Sequence, residues 1–284
     1  MITWLFKICA WCLKPLPWAW IYPLGKRLGT VAFEHSPVKQ QVLYHNLATL
    51  KSDEEKKSVA QKIFQNYATY YLEILKIGPH SKNWFSQNLK VEGIQHLTKA
   101  LKLGHGAIVI TAHFGNWDLA GFALVLQGFK VAAVAEKLNP PSLFRWFCKI
   151  RKAMGMQVIG LDSQTNRRCF AHLKENGVLA LVADRDLTKN GLPLPFMGQV
   201  VSLPKGPAQL ALRSGAAVLP GYLIRQADGT YLGHLNAPLK LTQSNDFEND
   251  VTANTRLMSQ ALEEIIRTDL SQWCMLQPIA YGQG

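Results

Sequence analysis

Residues 106–127 read GAIVITAHFGNWDLAGFALVLQ. A short β-rich run stops at Ala112, the turn His113-Phe-Gly-Asn116 follows, and an apolar helical pattern begins at Trp117. A continuously apolar strand that feeds straight into a helix is the repeating unit of a parallel sheet covered on both faces. The unit recurs. Further apolar runs lie at 129–135 (FKVAAVA), 156–161 (MQVIGL), 177–183 (GVLALVA) and 217–224 (AVLPGYLI). Helical patterns at about 141–154, 164–175 and 205–214 separate them, and a long helix at 248–270 closes the chain. Upstream, residues 52–78 predict another helix, opened by the capping box Ser52-Asp-Glu-Glu55 and stopped by Gly78-Pro79. The fold class expected is α/β: a single domain with a central, largely parallel sheet flanked by helices, plus a helical amino-terminal region. The expected boundaries are 1–50 for that region and 51–284 for the α/β domain.

Composition narrows the function. The chain has 284 residues, 48% of them hydrophobic and 18% charged, which excludes disorder over most of its length. A mean hydropathy of -0.01 argues against a multi-span membrane protein. Lys and Arg number 31 against 19 Asp and Glu, a net charge of +12. Such an excess favours an anionic partner: nucleic acid, an anionic membrane or a phosphorylated substrate. No helix-turn-helix, zinc-finger or RNA-binding signature accompanies it, so nucleic acid is set aside. The five cysteines are odd in number and scattered, which points to a reducing compartment rather than a disulfide framework. Cys9-x-x-Cys12 has no second ligand pair and is read as two small apolar residues; no metal site is expected.

The opening MITWLFKICAWCLKPLPWAWIYPLGKRLG is rich in Trp and Leu. Its longest uncharged stretch, Pro15 to Gly25, is 11 residues, short of the roughly 20 a spanning helix needs. It has neither a basic n-region nor a cleavage site of the secretory kind. Trp4, Trp11, Trp18, Trp20 and Tyr22, beside Lys7, Lys14, Lys26 and Arg27, suit a segment lying in an anionic membrane surface. The competing reading is an apolar arm packed on the protein's own core.

Ligands of open α/β sheets bind at the carboxyl ends of the strands. After GAIVITA comes His113-Phe-Gly-Asn-Trp-Asp118. The His-x4-Asp spacing alone is weak; the strand end, the glycine turn and the N-cap Asn116 sharpen it. Asp118 then falls in the first helical turn. The chemistry read here is a His113–Asp118 dyad, an imidazole base held by a carboxylate. With no G-x-S-x-G elbow, direct attack by an acceptor hydroxyl is expected rather than a covalent intermediate. The amides of Gly115 and Asn116 are candidate oxyanion donors. A second cluster, Asp184-Arg185-Asp186, follows GVLALVA, and Glu136 follows FKVAAVA. Beyond it Arg145, Lys149 and Lys152 share one face of a predicted helix that also carries Arg151. Lys205-Gly206-Pro207 opens the next helix and supports the fold.

The stretch TAHFGNWDLAG resembles the first motif of the bacterial lipid A late acyltransferases of the lauroyl and myristoyl type. It equally resembles the related phosphatidylinositol mannoside acyltransferases, within the wider His-x4-Asp glycerolipid acyltransferases. Ala183-Asp-Arg-Asp-Leu-Thr188, Pro195-Phe-Met-Gly198, Lys205-Gly-Pro-Ala208 and Ser214-Gly-Ala216 continue the likeness across roughly residues 1–280. The resemblance implies His113 as general base with Asp118 its partner. It implies an acidic residue beside the histidine, Asp186 in preference to Asp184, and a pocket glutamate and arginine at Glu136 and Arg151, with Arg185 beside them. It further implies an acyl-carrier-protein or coenzyme A thioester as donor, no cofactor, and work at the cytoplasmic face of the inner membrane. A glycolipid acceptor is expected. The Lys, Asn and Gln content leans toward a lipid A-like one, with mannosylated phosphatidylinositol or another phospholipid as the alternative. A non-catalytic lipid-binding protein is the reading of another class.

Overall fold

The computed structural model describes residues 2–78 and 81–279. Four helices come first: α1 (Ile2–Leu13), α2 (Ile21–Glu34), α3 (Pro37–Asn46) and α4 (Asp53–Lys76). Next come α5 (Ser81–Asn88), β1 (Leu89–Glu92), α6 (Ile94–Leu101), β2 (Ala107–Thr111), α7 (Trp117–Leu126), β3 (Val131–Ala135), α8 (Pro141–Ala153) and β4 (Gln157–Gly160). The chain continues through α9 (Thr165–Lys174), β5 (Val178–Val182), β6 (Leu192–Phe196), β7 (Gln199–Leu203), α10 (Gly206–Ser214), β8 (Ala217–Arg225), β9 (Tyr231–Leu235) and α11 (Phe247–Thr268). Seven strands form one sheet in the order β1-β9-β8-β2-β5-β3-β4. Among these, β8, β2, β5, β3 and β4 are mutually parallel, and β9 runs antiparallel to β8. The α/β class and the mainly parallel sheet agree with the hydrophobic-run reading. Every residue of β2 is buried, which is why it reads as AIVIT rather than as an alternating strand.

The edge strand β1, its neighbour β9 and the separate hairpin β6–β7 escape that reading. β1 alternates between half-buried and exposed positions, so it has no continuous apolar run. β6 carries Pro193 and Pro195, both exposed, which hydropathy alone marks as loop.

Helix α4 starts as its sequence dictates: the Ser52 hydroxyl accepts from the Glu55 amide, and three acids fill the first turn. Pro79, expected to stop it together with Gly78, lies outside the described residues. Its last residue, Lys76, is buried and donates to the carbonyls of Leu13, Lys14 and Leu16, thereby closing the carboxyl end of α1. Burial pushes the Lys76 pKa down. The amino-terminal region is therefore built onto α4. Gly25 and Gly29 of α2 face it, and a Cβ at Gly29 would lie 2.3 Å from the Gln65 Cα and 2.6 Å from the Phe64 carbonyl oxygen. Backbone meets backbone there, and neither side can yield. Gly29→Ala is expected to destabilise the fold by about 1–3 kcal/mol through overpacking. A thermal-unfolding midpoint equal to wild type would contradict this packing.

Candidate active site

Two strands bring the site together. In the β2–β5 ladder Thr111 pairs with Val182, so the residues two steps beyond each strand, His113 and Asp184, emerge side by side at the carboxyl edge. The His113 Nδ1 lies 2.7 Å from one Asp184 oxygen, and the His113 backbone N–H donates to the other at 2.8 Å. The Trp273 indole N–H donates to that second oxygen at 2.9 Å. Asp184 is 0% exposed. Burial by itself would raise its pKa; the facing His113, by charge and hydrogen bonds, and the Trp273 donor outweigh it and hold the carboxyl below the usual range. An ionised carboxylate only accepts. Nδ1 therefore carries a proton, which leaves Nε2 as the nitrogen that can accept one.

This geometry corrects the expected dyad. Asp118 is not bonded to His113; Arg151 holds it through Nε at 2.5 Å and an Nη at 3.1 Å, and the Tyr70 hydroxyl donates to it at 2.7 Å. Asp118 and Arg151 form a buried ion pair that ties α7 to α8. Burial disfavours the charge on Arg151, but Asp118 outweighs that and keeps the guanidinium firmly cationic. Burial first, and Asp118 next, push the Tyr70 phenol well up, so it stays a donor. The expected preference for Asp186 is also reversed. Its carboxylate accepts from the Thr188 amide and hydroxyl, the Gly191 amide and the Ser202 hydroxyl, shaping its own loop. Glu136 and Arg185 sit together in an ion pair at 3.6 Å.

Asn116 caps α7 as expected, its side-chain oxygen accepting from the Leu119 amide at 3.0 Å. Gly115 takes φ = 58° and approaches β8 so closely that a Cβ would sit 1.9 Å from the Leu223 oxygen. Its amide donates to the Gln272 carbonyl and the Asn116 amide to the Leu223 carbonyl. The two amides expected to receive an oxyanion are thus already used by the fold.

His113, Asp118, Glu136, Arg151, Arg185 and Asp186 all line one pocket of about 630 Å³, a size ordinary for a small-molecule site. Its remaining wall is mostly apolar, with Leu143, Phe147, Met156, Leu161, Leu181 and Leu210. Lys205, Gly206 and Pro207 at the start of α10 also border it. Arg145, Lys149 and Lys152 lie on the exposed side of α8, away from Phe147 and Arg151. Lys137 is paired with Asp162 at 3.0 Å. Two thiols reach the pocket, Cys169 and Cys274. Burial pushes them up to about 11 and about 12, so both remain protonated and poorly nucleophilic near neutral pH. Tyr70 and Trp273 carry no signal in the sequence, because their roles depend on chain segments that meet only in the fold.

Residues 1–279 match the family described as bacterial lipid A biosynthesis acyltransferase. The chain belongs to that family. A phosphatidylinositol mannoside acyltransferase of Mycolicibacterium smegmatis is 36% identical over 217 residues, covering 75% of this chain and 69% of the relative. One from Mycobacterium tuberculosis (strain ATCC 25618 / H37Rv) is 33% identical over 220 residues, 75% of this chain and 67% of the relative. The lipid A biosynthesis lauroyltransferase of Escherichia coli (strain K12) is 21% identical over 287 residues, 97% of this chain and 90% of the relative. The protein is an acyltransferase of the glycolipid-modifying kind.

The pairing seen here orders two carboxylate variants. Asp184→Asn is expected to lower kcat by at least about 100-fold with little change in KM, because the amide no longer holds the reactive tautomer. Asp118→Asn, which leaves the Nδ1 contact untouched, is expected to cost less in kcat. Steady-state kinetics giving the opposite order would restore Asp118 as the histidine's partner.

Proposed function

We propose that this protein moves a fatty acyl chain from an acyl-carrier-protein or coenzyme A thioester to a hydroxyl of a membrane glycolipid. We place the reaction at the cytoplasmic face of the inner membrane. The observation that carries the chemistry is the 2.7 Å contact by which buried Asp184 holds Nδ1 of His113, a residue that lines the pocket. In the proposed step Nε2 takes the proton of the acceptor hydroxyl while its oxygen attacks the thioester carbon. Asp184 stabilises the imidazolium that forms. The C–S bond then breaks, and the imidazolium returns its proton to the leaving thiolate. Ester and free thiol result, with no covalent enzyme intermediate and no cofactor. Arg185, held only loosely by Glu136 at 3.6 Å, offers a cationic group to a substrate phosphate. The apolar wall suits the acyl chain.

Two acceptors are supported by different observations. Lipid A is named for the family and for the Escherichia coli relative, whereas the relatives of higher identity act, by name, on phosphatidylinositol mannosides. Lipid mass spectrometry on membranes from cells supplying both acceptors decides. Cells making the wild-type protein should contain a species heavier by one acyl chain, absent with folded His113→Ala. Identical lipids in the two would favour the non-catalytic lipid-binding reading.

Membrane attachment is assigned to the first two helices. Trp4, Ile8 and Trp11 form one exposed stripe on α1, with Trp11 76% exposed, and Trp20, Leu28 and Val31 add exposed apolar surface beyond it. The opposite side of α1 is occupied: Ala10 and Leu13 pack with Ile21, Leu72 and Leu75. Among the described residues no helix is long and apolar enough to cross a membrane. Trp4→Ser/Trp11→Ser is expected to weaken co-sedimentation with phosphatidylglycerol vesicles by about tenfold or more. Undiminished binding would remove this surface from the proposal.

A further inference from the structure

A second buried ion pair lies outside the pocket. Glu73 of α4 is 1% exposed and Arg225, at the end of β8, is 7% exposed. Arg225 donates to Glu73 through Nε and an Nη, each at 2.8 Å. The Tyr231 hydroxyl donates to the same carboxylate, and Asn66 accepts from the remaining arm of Arg225 at 2.9 Å. The fourth donor to Glu73 is the side-chain amide of Asn116, at 2.7 Å. Neither charged residue borders the pocket.

From this arrangement we propose that Glu73 is a positioning residue for the catalytic turn, acting through Asn116; the proposal rests on His113 being the base. Asn116 is held at both ends. Its oxygen caps α7, and its amide is anchored to Glu73. The turn between His113 and that cap is Phe114-Gly115 only. Around it, Arg225 and Gln272 exchange bonds: the Arg225 amide donates to the Gln272 side-chain oxygen, and the Gln272 side chain donates to the Arg225 carbonyl. Gln272 in turn accepts the Gly115 amide through its backbone carbonyl. Hydrogen bonds therefore tie Glu73 to the turn at two points, directly at Asn116 and through Arg225 and Gln272 at Gly115, two residues from His113. A buried charge pair of this kind is a poor source of net stability, since apolar residues of like volume often replace it without loss. Its use here is directional: it offers a rigid acceptor to Asn116, and small displacements of a reacting group are costly to rate.

Two double variants separate positioning from bulk stability. Glu73→Met/Arg225→Met removes the charges together and leaves Asn116 without its acceptor. Glu73→Gln/Arg225→Met also removes both charges but keeps a side-chain oxygen for Asn116 and Tyr231. Thermal unfolding establishes that each is folded. Product lipid per amount of enzyme in cells, read by mass spectrometry, reports activity; the ring resonances of 13C-labelled His113 report its environment without any substrate. The Met/Met variant is expected to lose about tenfold or more of product and to shift the His113 resonances, with the Gln/Met variant near wild type in both. Equal behaviour of the two folded variants, at either level, overturns the proposal. Absence of any acylated product from wild type would instead overturn the enzymatic reading, and the resonances would still decide whether Glu73 positions His113.

Discussion

A carboxylate with no exposed surface must find donors for its oxygens or give up its charge. Asp184 finds three, and their sources organise the molecule around it. Two belong to His113, one from its ring and one from its backbone, so a single side chain fixes the tautomer and the path of the β2–α7 turn together. The third comes from Trp273, beyond α11. That segment is pinned along the turn: Cys274 donates its amide to the His113 carbonyl, Gly115 donates to Gln272, and Phe114 bridges to Trp273. The last part of the chain thus closes over the first strand of the site, and the site is complete only when both are in place.

Helix α4 joins this centre to the amino-terminal region. One part of it meets the backbone of α2 at Gln65, Lys76 secures the end of α1, Tyr70 steadies Asp118, and Glu73 holds Asn116. These contacts lie within about three turns of one helix. Its aromatic residues also build the pocket wall, with Tyr70 stacked on Trp117 at 4.1 Å between ring centres. The proposed membrane-facing helices and the turn that carries His113 are consequently both tied to one helix. A lipid acceptor held at the surface would meet a base whose position is set by the same helix.

The parallel core was legible because burial on both faces leaves a local mark: a run such as AIVIT or VLALV has no polar side to show. Helix ends were legible for a similar reason, since Ser52 and Asn116 cap within three residues of themselves. Strands with weak local marks, β1 and β6, were not. The site was legible as a set of residues and misread as a set of partners. His113 and Asp184 each stand seven residues after the glycine that opens an apolar run, Gly106 and Gly177. That equal offset is a usable signal once the two runs are taken as adjacent strands in register. Proximity in sequence favoured Asp118 instead, although a helix start one turn away aims it at α8.

What the sequence determined by itself was therefore the parallel core strands and the helices between them, the glycolipid acyltransferase character carried by its motifs, and the histidine on which the proposed chemistry turns. These depend on hydrophobic periodicity, capping and short-range turn geometry, all written within a few residues. The tertiary structure alone decided which carboxylate serves that histidine, which one clamps Arg151, and that Trp273, Tyr70 and Glu73 stand behind the turn. Those partners are 71 to 160 residues distant from His113 or arrive from helices packed across the sheet. Only strand register and close packing bring them within hydrogen-bonding distance, where burial makes each missing donor costly.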